Sequence, residues 1–291
     1  MIKEILYKFY KRFEKWLIAT GIIVVAFGAG ETQFQKGGLL YDGISTQKVV
    51  EKFALADNRI KSKYQLDGTA LKINAIDKNS VAVNLGDKTK PEFEPKLEIT
   101  RWEGKAKFSI KPKGLDIIQK KDKDLIFEGD KIKFETPDIT YEYFDSPTST
   151  EEGGYEYQLV LNKKPATSTF YSTIDSTGLE FYKQLPLTQE EHIEGETCYE
   201  TYCEKDGQRT AERPDNVVNS YAVYYSESGD YSKMGGYNFR AGKAFHIYRV
   251  KAIDADGLEL WCDQNIYGNT HEISCDWNWL DKIAKYPVII K

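Results

Sequence analysis

The chain has 291 residues, 20 of them tyrosine and 14 phenylalanine, and a formal net charge of −5. That length fits one large or two ordinary domains, and the negative balance argues against nucleic-acid binding driven by phosphate contacts. Aromatic residues with recurring Thr and Val in short runs favour strands over helices.

The N-terminus places Lys3, Lys8, Lys11, Arg12 and Lys15 ahead of an uncharged run from Trp16 to Gly30. A positive region, a short apolar core and the small residues Ala26, Gly28, Ala29 and Gly30 are the ingredients of a secretory signal peptide. As a helix the run covers about 22 Å, short of the roughly 30 Å hydrocarbon core. Cleavage near Gly28 to Gly30 is the favoured reading, with an uncleaved anchor and a buried helix as alternatives. Glu31 to Tyr41 reads as a linker. Ser45 or Thr46 is then placed to cap a short helix over Gln47 to Ala56, with Val49, Val50, Phe53 and Ala54 or Leu55 on one side.

From Leu71 the period becomes two: L-K-I-N-A-I, V-A-V-N-L, K-L-E-I-T-R-W, A-K-F-S-I, D-L-I-F-E and K-I-K-F-E-T. Turns at Gly86-Asp87, Glu103-Gly104, Lys113-Gly114 and Gly129-Asp130 separate several of them, the signature of a sandwich or barrel. Gly129-Asp130 is a two-residue hairpin loop by this reading. Between Lys88 and Lys123 the lysines interleave with Glu92, Glu94, Glu98, Glu103 and Asp122, which describes a solvated sheet surface. Asp145 to Gly154 is the best internal break, a linker or an exposed loop. Strands resume as Y-E-Y-Q-L-V-L, T-S-T-F-Y-S-T-I and L-E-F-Y. Pro186-Leu187-Thr188 opens a turn of helix in which Thr188 and Glu191 form a candidate capping box.

All four cysteines, Cys198, Cys203, Cys262 and Cys275, lie in the last third. With Gly268-Asn269 as a hairpin loop, Cys262 falls opposite Cys275, on the side that carries Leu260, Ile266 and Ile273. On a non-hydrogen-bonded pair their Cα atoms approach to about 4.5 Å, within disulfide range. Cys198 and Cys203 take the same geometry if Glu200-Thr201 is the loop. Two local disulfides are favoured; free thiols and a zinc site are the alternatives, the latter opposed by spacings without the close pairs of zinc ribbons.

The signatures of catalysis are missing from the sequence: there is no G-x-S-x-G, and His271-Glu272 lacks the second histidine of H-E-x-x-H. Gly236 to Ala244 departs from a P-loop in glycine spacing and ends in Ala244 instead of Ser or Thr. His192, His246 and His271 are too few and scattered for a triad or metal cluster, so no metal or cofactor is expected. Asp254 to Glu259 lacks the full calcium-loop pattern, and Asp256-Gly257 reads as a two-residue hairpin turn. The span from Ser226 to Gly242, between the runs Tyr221 to Tyr225 and Ala244 to Val250, is too long for a simple turn. Its Tyr231, Tyr237, Phe239 and Arg240 are the candidate binding residues, for a glycan or a protein, against the plainer reading of a self-packed flap.

Several segments carry a family resemblance: Y-E-Y-Q-L-V-L-N-K-K-P from Tyr155, G-L-E-F-Y from Gly178, R-P-D-N-V-V-N-S-Y-A-V-Y from Arg213, G-K-A-F-H-I-Y-R from Gly242 and W-L-D-K-I-A-K-Y-P-V-I-I from Trp279. Together with P-L-T at Pro186 they resemble a family of uncharacterised metagenome- and phage-borne surface or structural proteins, whose tails of W-L-x-x-A-x-Y-P-V-I type are usually followed by V-D-P-T. This chain departs from them by ending at Lys291. The resemblance implies a β-sandwich module of a cell-surface or virion protein and brings no catalytic residues.

The expectation is an all-β chain of antiparallel β-sandwich type, with an N-terminal hydrophobic helix and a few short helices. Its parts are a signal or anchor over 1–30, a β-rich domain over 31–144, a linker or loop over 145–154, and a sandwich domain with stapled hairpins over 155–291. The expected role is that of an extracellular or cell-envelope structural or interaction protein, touching the membrane only through its N-terminal segment. A glycan-binding module is the first alternative and a glycoside hydrolase the second.

Overall fold

The computed structural model describes residues 43–73, 81–118, 120–146, 154–190, 192–226 and 242–291. The signal or anchor segment and the candidate residues Tyr231, Tyr237, Phe239 and Arg240 lie outside the described residues. The fold is all-β, built from antiparallel sheets with a few short helices, and is β-sandwich-like. Two large sheets face one shared core.

The first sheet has eight strands. β1 (Tyr64–Asp67), β2 (Ala70–Ile73), β3 (Ala82–Leu85), β4 (Leu97–Arg101) and β5 (Ala106–Pro112) run as a meander, followed in space by β10 (Thr169–Thr177), β20 (Thr270–Ser274) and β19 (Asp263–Tyr267). The second has seven: β6 (Asp124–Glu128), β7 (Lys131–Glu135), β8 (Ile139–Ser146) and β9 (Gly154–Leu161), then β21 (Val288–Ile290), β17 (Lys251–Ile253) and β18 (Glu259–Trp261). Alternation decides which side chains go inward: Ile132 and Phe134 of β7 and Phe170 and Ile174 of β10 are buried between exposed or half-buried neighbours. Phe93 meets Phe134 at 6.0 Å across the core, and the Tyr157 hydroxyl of β9 lies 3.4 Å from Ser172 Oγ of β10.

Both sheets draw strands from each side of the Asp145–Gly154 break, and residues 41–291 form one compact unit. Of the two readings of 145–154, a linker or a loop, a loop within one unit is the one that fits. Ser146 pairs with Gly154, so the break joins two neighbouring strands of one hairpin, and β5 pairs with β10 across it. A composition shift marks a loop equally well whether the chain turns back or moves on.

α1 (Thr46–Leu55) starts as expected, Ser45 Oγ accepting from the Lys48 N–H. Its inward stripe is narrower than expected. Val49 and Ala56 are buried and Phe53 packs edge-on against Phe127 at 5.8 Å, whereas Val50 and Leu55 face solvent. α2 (Asn58–Lys63) follows, capped by Asp57. Among the described residues no helix is long and apolar enough to cross a membrane. The charged stretch over 88–123 is a paired surface: Lys107 lies 2.9 Å from Glu98 and Lys120 lies 2.6 Å from Glu92.

Gly129-Asp130 is the two-residue loop predicted, with Glu128 opposite Lys131. The Asp256-Gly257 turn differs by one residue. Ile253 pairs with Glu259 and the Asp254 N–H donates to the Leu258 carbonyl, so three residues, Ala255 to Gly257, form the loop. Gly257 sits at φ +83°, as the left-handed last position of such a loop requires. The Asp254 carboxylate accepts from the N–H groups of Asp256, Leu258 and Lys285, tying this hairpin to the segment before β21. Leu187 to Gln189 form a 3-10 turn with Thr188 inside it, not at its cap, so the capping box is not the starting device.

Candidate functional site

Two small sheets, separate in their ladders from the two large ones, carry Cys198, Cys203 and His246 on their strands. One consists of β11 (Leu179–Lys183), β15 (Tyr221–Tyr225) and β16 (Lys243–Ile247), which packs Phe181 and Phe245 against Phe108 of the first large sheet. The strands flanking the 226–242 span are thus β15 and β16, the second ending at Ile247 and not at Val250. Lys243 opens a strand, which is not the helix start that a phosphate-binding loop needs.

The R-P-D-N-V-V block is a turn that knits this sheet to its surroundings. The Val217 N–H donates to the Pro214 carbonyl at 2.8 Å, Arg249 N–H to Asn216 at 2.8 Å, and Asn219 N–H to Gln184 at 2.7 Å. Val218 is fully buried, and Asn219 takes a left-handed φ of +59°. Beneath it, Gln264 Nε2 donates to the carbonyls of Tyr248 and Asn219, at 2.8 and 3.3 Å. Its Oε1 must then accept, so His271 donates from Nε2, 3.0 Å away. Burial holds the His271 pKa down to about 4.

His246 lies 2.7 Å from Ser220 Oγ, superficially a nucleophile and its base. Ser220 is fully buried, however, and the buried Nδ1 of His246 has no hydrogen-bond partner to orient the ring as a triad acid does. Burial first, and Lys243 second, lower the His246 pKa to about 4. His271 is buried and His246 half-buried, each on a strand. Asp122, Asp124 and Glu135 line a depression of about 550 Å³ with Lys48 and Lys123. Asp124 is tied to Lys52 at 2.8 Å and sits opposite Glu135 in the β6–β7 ladder.

The other small sheet is β12 (Thr197–Cys198), β13 (Tyr202–Lys205) and β14 (Gln208–Glu212). Cys198 pairs with Cys203 in the ladder and the two form a disulfide with Cα atoms 4.0 Å apart. Cys262 and Cys275 form the second, at 4.4 Å, and no cysteine is free. The β19–β20 register is the predicted one, with Tyr267 opposite Thr270 and Gln264 opposite Ile273. The Cys262 and Cys275 N–H groups donate elsewhere, to Val250 and Ser168, so the pair is of the close, non-hydrogen-bonded kind.

At the tip of the Cys198–Cys203 hairpin the Tyr199 and Tyr202 rings stack with centroids 4.6 Å apart, and the Arg209 guanidinium lies 4.6 Å over Tyr202. Tyr199 is 45% exposed, so the stack presents a face to solvent. The tip is anchored: the Leu187 N–H donates to the Glu200 carbonyl at 2.9 Å and Arg213 N–H to Thr201 at 2.7 Å. Stapled, anchored and aromatic, this is the most site-like exposed surface among the described residues. It was missed in the sequence, although Tyr199 and Tyr202 are bracketed by the cysteines.

The same module brings His192 beside Glu196, Cys198 and Cys203, one ligand atom from each lying within 4.8 Å of the rest. His192 is therefore less scattered than its position in sequence implies. Glu196 accepts from the Thr210 hydroxyl and from the Ile193 N–H at 3.1 Å; these bonds, the hydroxyl foremost, hold its carboxyl below the usual range.

No family model, curated protein or solved structure matches this chain.

Proposed function

We propose that this chain is a secreted or membrane-tethered structural or interaction protein of a cell surface or virion, working by contact and not by catalysis. The observation that carries this reading is the pairing of all four cysteines in two hairpin disulfides, bonds that persist in oxidising compartments. The basic and apolar N-terminal segment supplies the route out, and the segments resembling surface and virion proteins supply the setting. The Tyr199–Tyr202–Arg209 face is the contact surface, since Tyr and Arg concentrate binding energy at interfaces.

Expression with the native N-terminus tests this. Secreted or envelope-associated protein that resists alkylation until reduced is expected. Cytosolic retention with four alkylatable thiols overturns the reading. A glycan is the second candidate ligand, favoured by the stacked, exposed rings on which a sugar face can lie; Tyr231, Tyr237, Phe239 and Arg240 remain its proposed loop contacts. A glycan array separates the two: a signal lost in Tyr199→Ala or Tyr237→Ala favours the glycan, and silence across the array favours a protein partner.

A further inference from the structure

His192, Glu196, Cys198 and Cys203 bring one imidazole, one carboxylate and two sulfurs together, with the sulfurs bonded to each other. We propose that two-electron reduction of Cys198–Cys203 turns this cluster into a four-coordinate site for a thiophilic divalent cation of the zinc class. The stapled module would then have two covalent states, a disulfide and a metal-bound dithiolate.

The chemistry balances with a dithiol as reductant. Its thiolate attacks one sulfur of the Cys198–Cys203 bond and its second thiol completes the exchange. The reductant leaves as a disulfide, and both cysteines become thiols holding its two electrons and two protons. The cation displaces those two protons to solvent and takes both thiolates. His192 adds a ring nitrogen and Glu196 a carboxylate oxygen, giving an N, O, S, S set of the kind that zinc accepts in tetrahedral geometry.

The dimensions suit this exchange. With zinc–sulfur bonds near 2.3 Å and zinc–nitrogen or zinc–oxygen bonds near 2.0–2.1 Å, the edges of the tetrahedron are roughly 3.4–3.8 Å. The ligand atoms already lie within 4.8 Å of one another, so each closes by at most about 1.4 Å while the two sulfurs part. The C-x4-C spacing, wider than the close pairs of zinc ribbons sought in the sequence, still falls at the upper end of the range found in zinc sites. Glu196 arrives oriented: Thr210 Oγ1 and the Ile193 N–H donate to different oxygens of its carboxylate. Each oxygen keeps a further lone pair, so these bonds can serve as outer-shell supports. His192 is exposed and Cys198 half-buried, which leaves the cluster open to both reductant and cation. Cys262 and Cys275, by contrast, are buried in the core without histidine or carboxylate in a comparable cluster among the described residues.

The test is a Co²⁺ titration of the full chain, before and after reduction by a phosphine under anaerobic conditions, with the reduced cysteines identified by alkylation and mass spectrometry. After reduction of Cys198–Cys203, one equivalent of Co²⁺ is expected to give thiolate-to-cobalt charge-transfer bands with the intense visible bands of a tetrahedral site. The oxidised chain is expected to give neither. His192→Ala, at an exposed position, is expected to weaken Co²⁺ binding about tenfold or more, and Cys203→Ser to remove the two-thiolate bands. The inference is overturned if the reduced chain shows no such bands, if they persist in Cys203→Ser, or if His192→Ala binds within about twofold of the parent. These outcomes are independent of where the protein resides and of what the tyrosine face contacts.

Discussion

His271 makes a quantitative demand on stability. Its Nε2–H is committed to Gln264, its Nδ1 is buried without a partner, and the residue is 5% exposed. Protonation would therefore place a charge and an unpaired donor in the core, which is why burial lowers its pKa from 6.5 to about 4. Above about pH 6.5 the ring is neutral in folded and unfolded chains alike, and pH has no leverage through it. Below that, the unfolded chain takes up a proton that the folded chain refuses until about pH 4, so stability falls as pH falls. The interval is about 2.5 pH units at about 1.4 kcal/mol each, giving a loss of order 3 kcal/mol once pH is below about 4. Urea unfolding at a series of pH values from about 7.5 to 4.5 tests this before most carboxylates protonate. His246 contributes a slope of its own, so the comparison is with His271→Gln, which keeps an N–H donor for Gln264 and cannot titrate. The variant's stability should fall less steeply with decreasing pH, by up to about 1.4 kcal/mol per pH unit. Parallel curves for parent and variant would refute the reasoning.

The core disulfide should matter more than the surface one. Replacing Cys262 and Cys275 together by Ala should cost about 2–4 kcal/mol in urea unfolding, and replacing Cys198 and Cys203 less, because the loop closed is shorter; the reverse order would contradict this account. Gly178→Ala should cost on the order of 1–3 kcal/mol, since φ is +67° and a Cβ would collide with the Lys105 carbonyl; a neutral result by thermal melting would show that the strand end relaxes freely. Asp124→Ala removes the partly exposed ion pair with Lys52 and should change stability by less than about 1 kcal/mol. A glycosidase role for the depression it lines would instead make the variant lose hydrolysis of an activated aryl glycoside that the parent performs.

The elements legible in the sequence were those set by local rules. Ser45 announced α1 by its side chain, and Gly129-Asp130 and Gly268-Asn269 fixed their hairpins because a two-residue loop leaves one register. The Asp256-Gly257 hairpin slipped by one because an Asp-Gly pair also ends a three-residue loop, and the deciding bond, Asp254 N–H to Leu258, is invisible in the spacing. Asp206-Gly207, both left-handed, turns β13 into β14 by the same local rule. The single unit was not legible at all, because β5–β10 and β10–β20 contacts are non-local and period two says nothing about partners. The tyrosine face was within reach, since residues flanking a two-residue loop between paired cysteines must face each other. His192 was not, as it approaches the cysteines through an irregular turn that no periodicity predicts.

The placement of β21 sets a timetable for folding. Residues 288–290 lie between β9 and β17, in the interior of the seven-stranded sheet. A ribosome adding about 5–20 residues per second takes on the order of ten seconds to travel from β9 to β21. Throughout that interval β9 offers an open apolar edge, with Leu159 and Leu161 awaiting Ile290 and Val288. The seven-stranded sheet can therefore close only after residues 288–290 have been made.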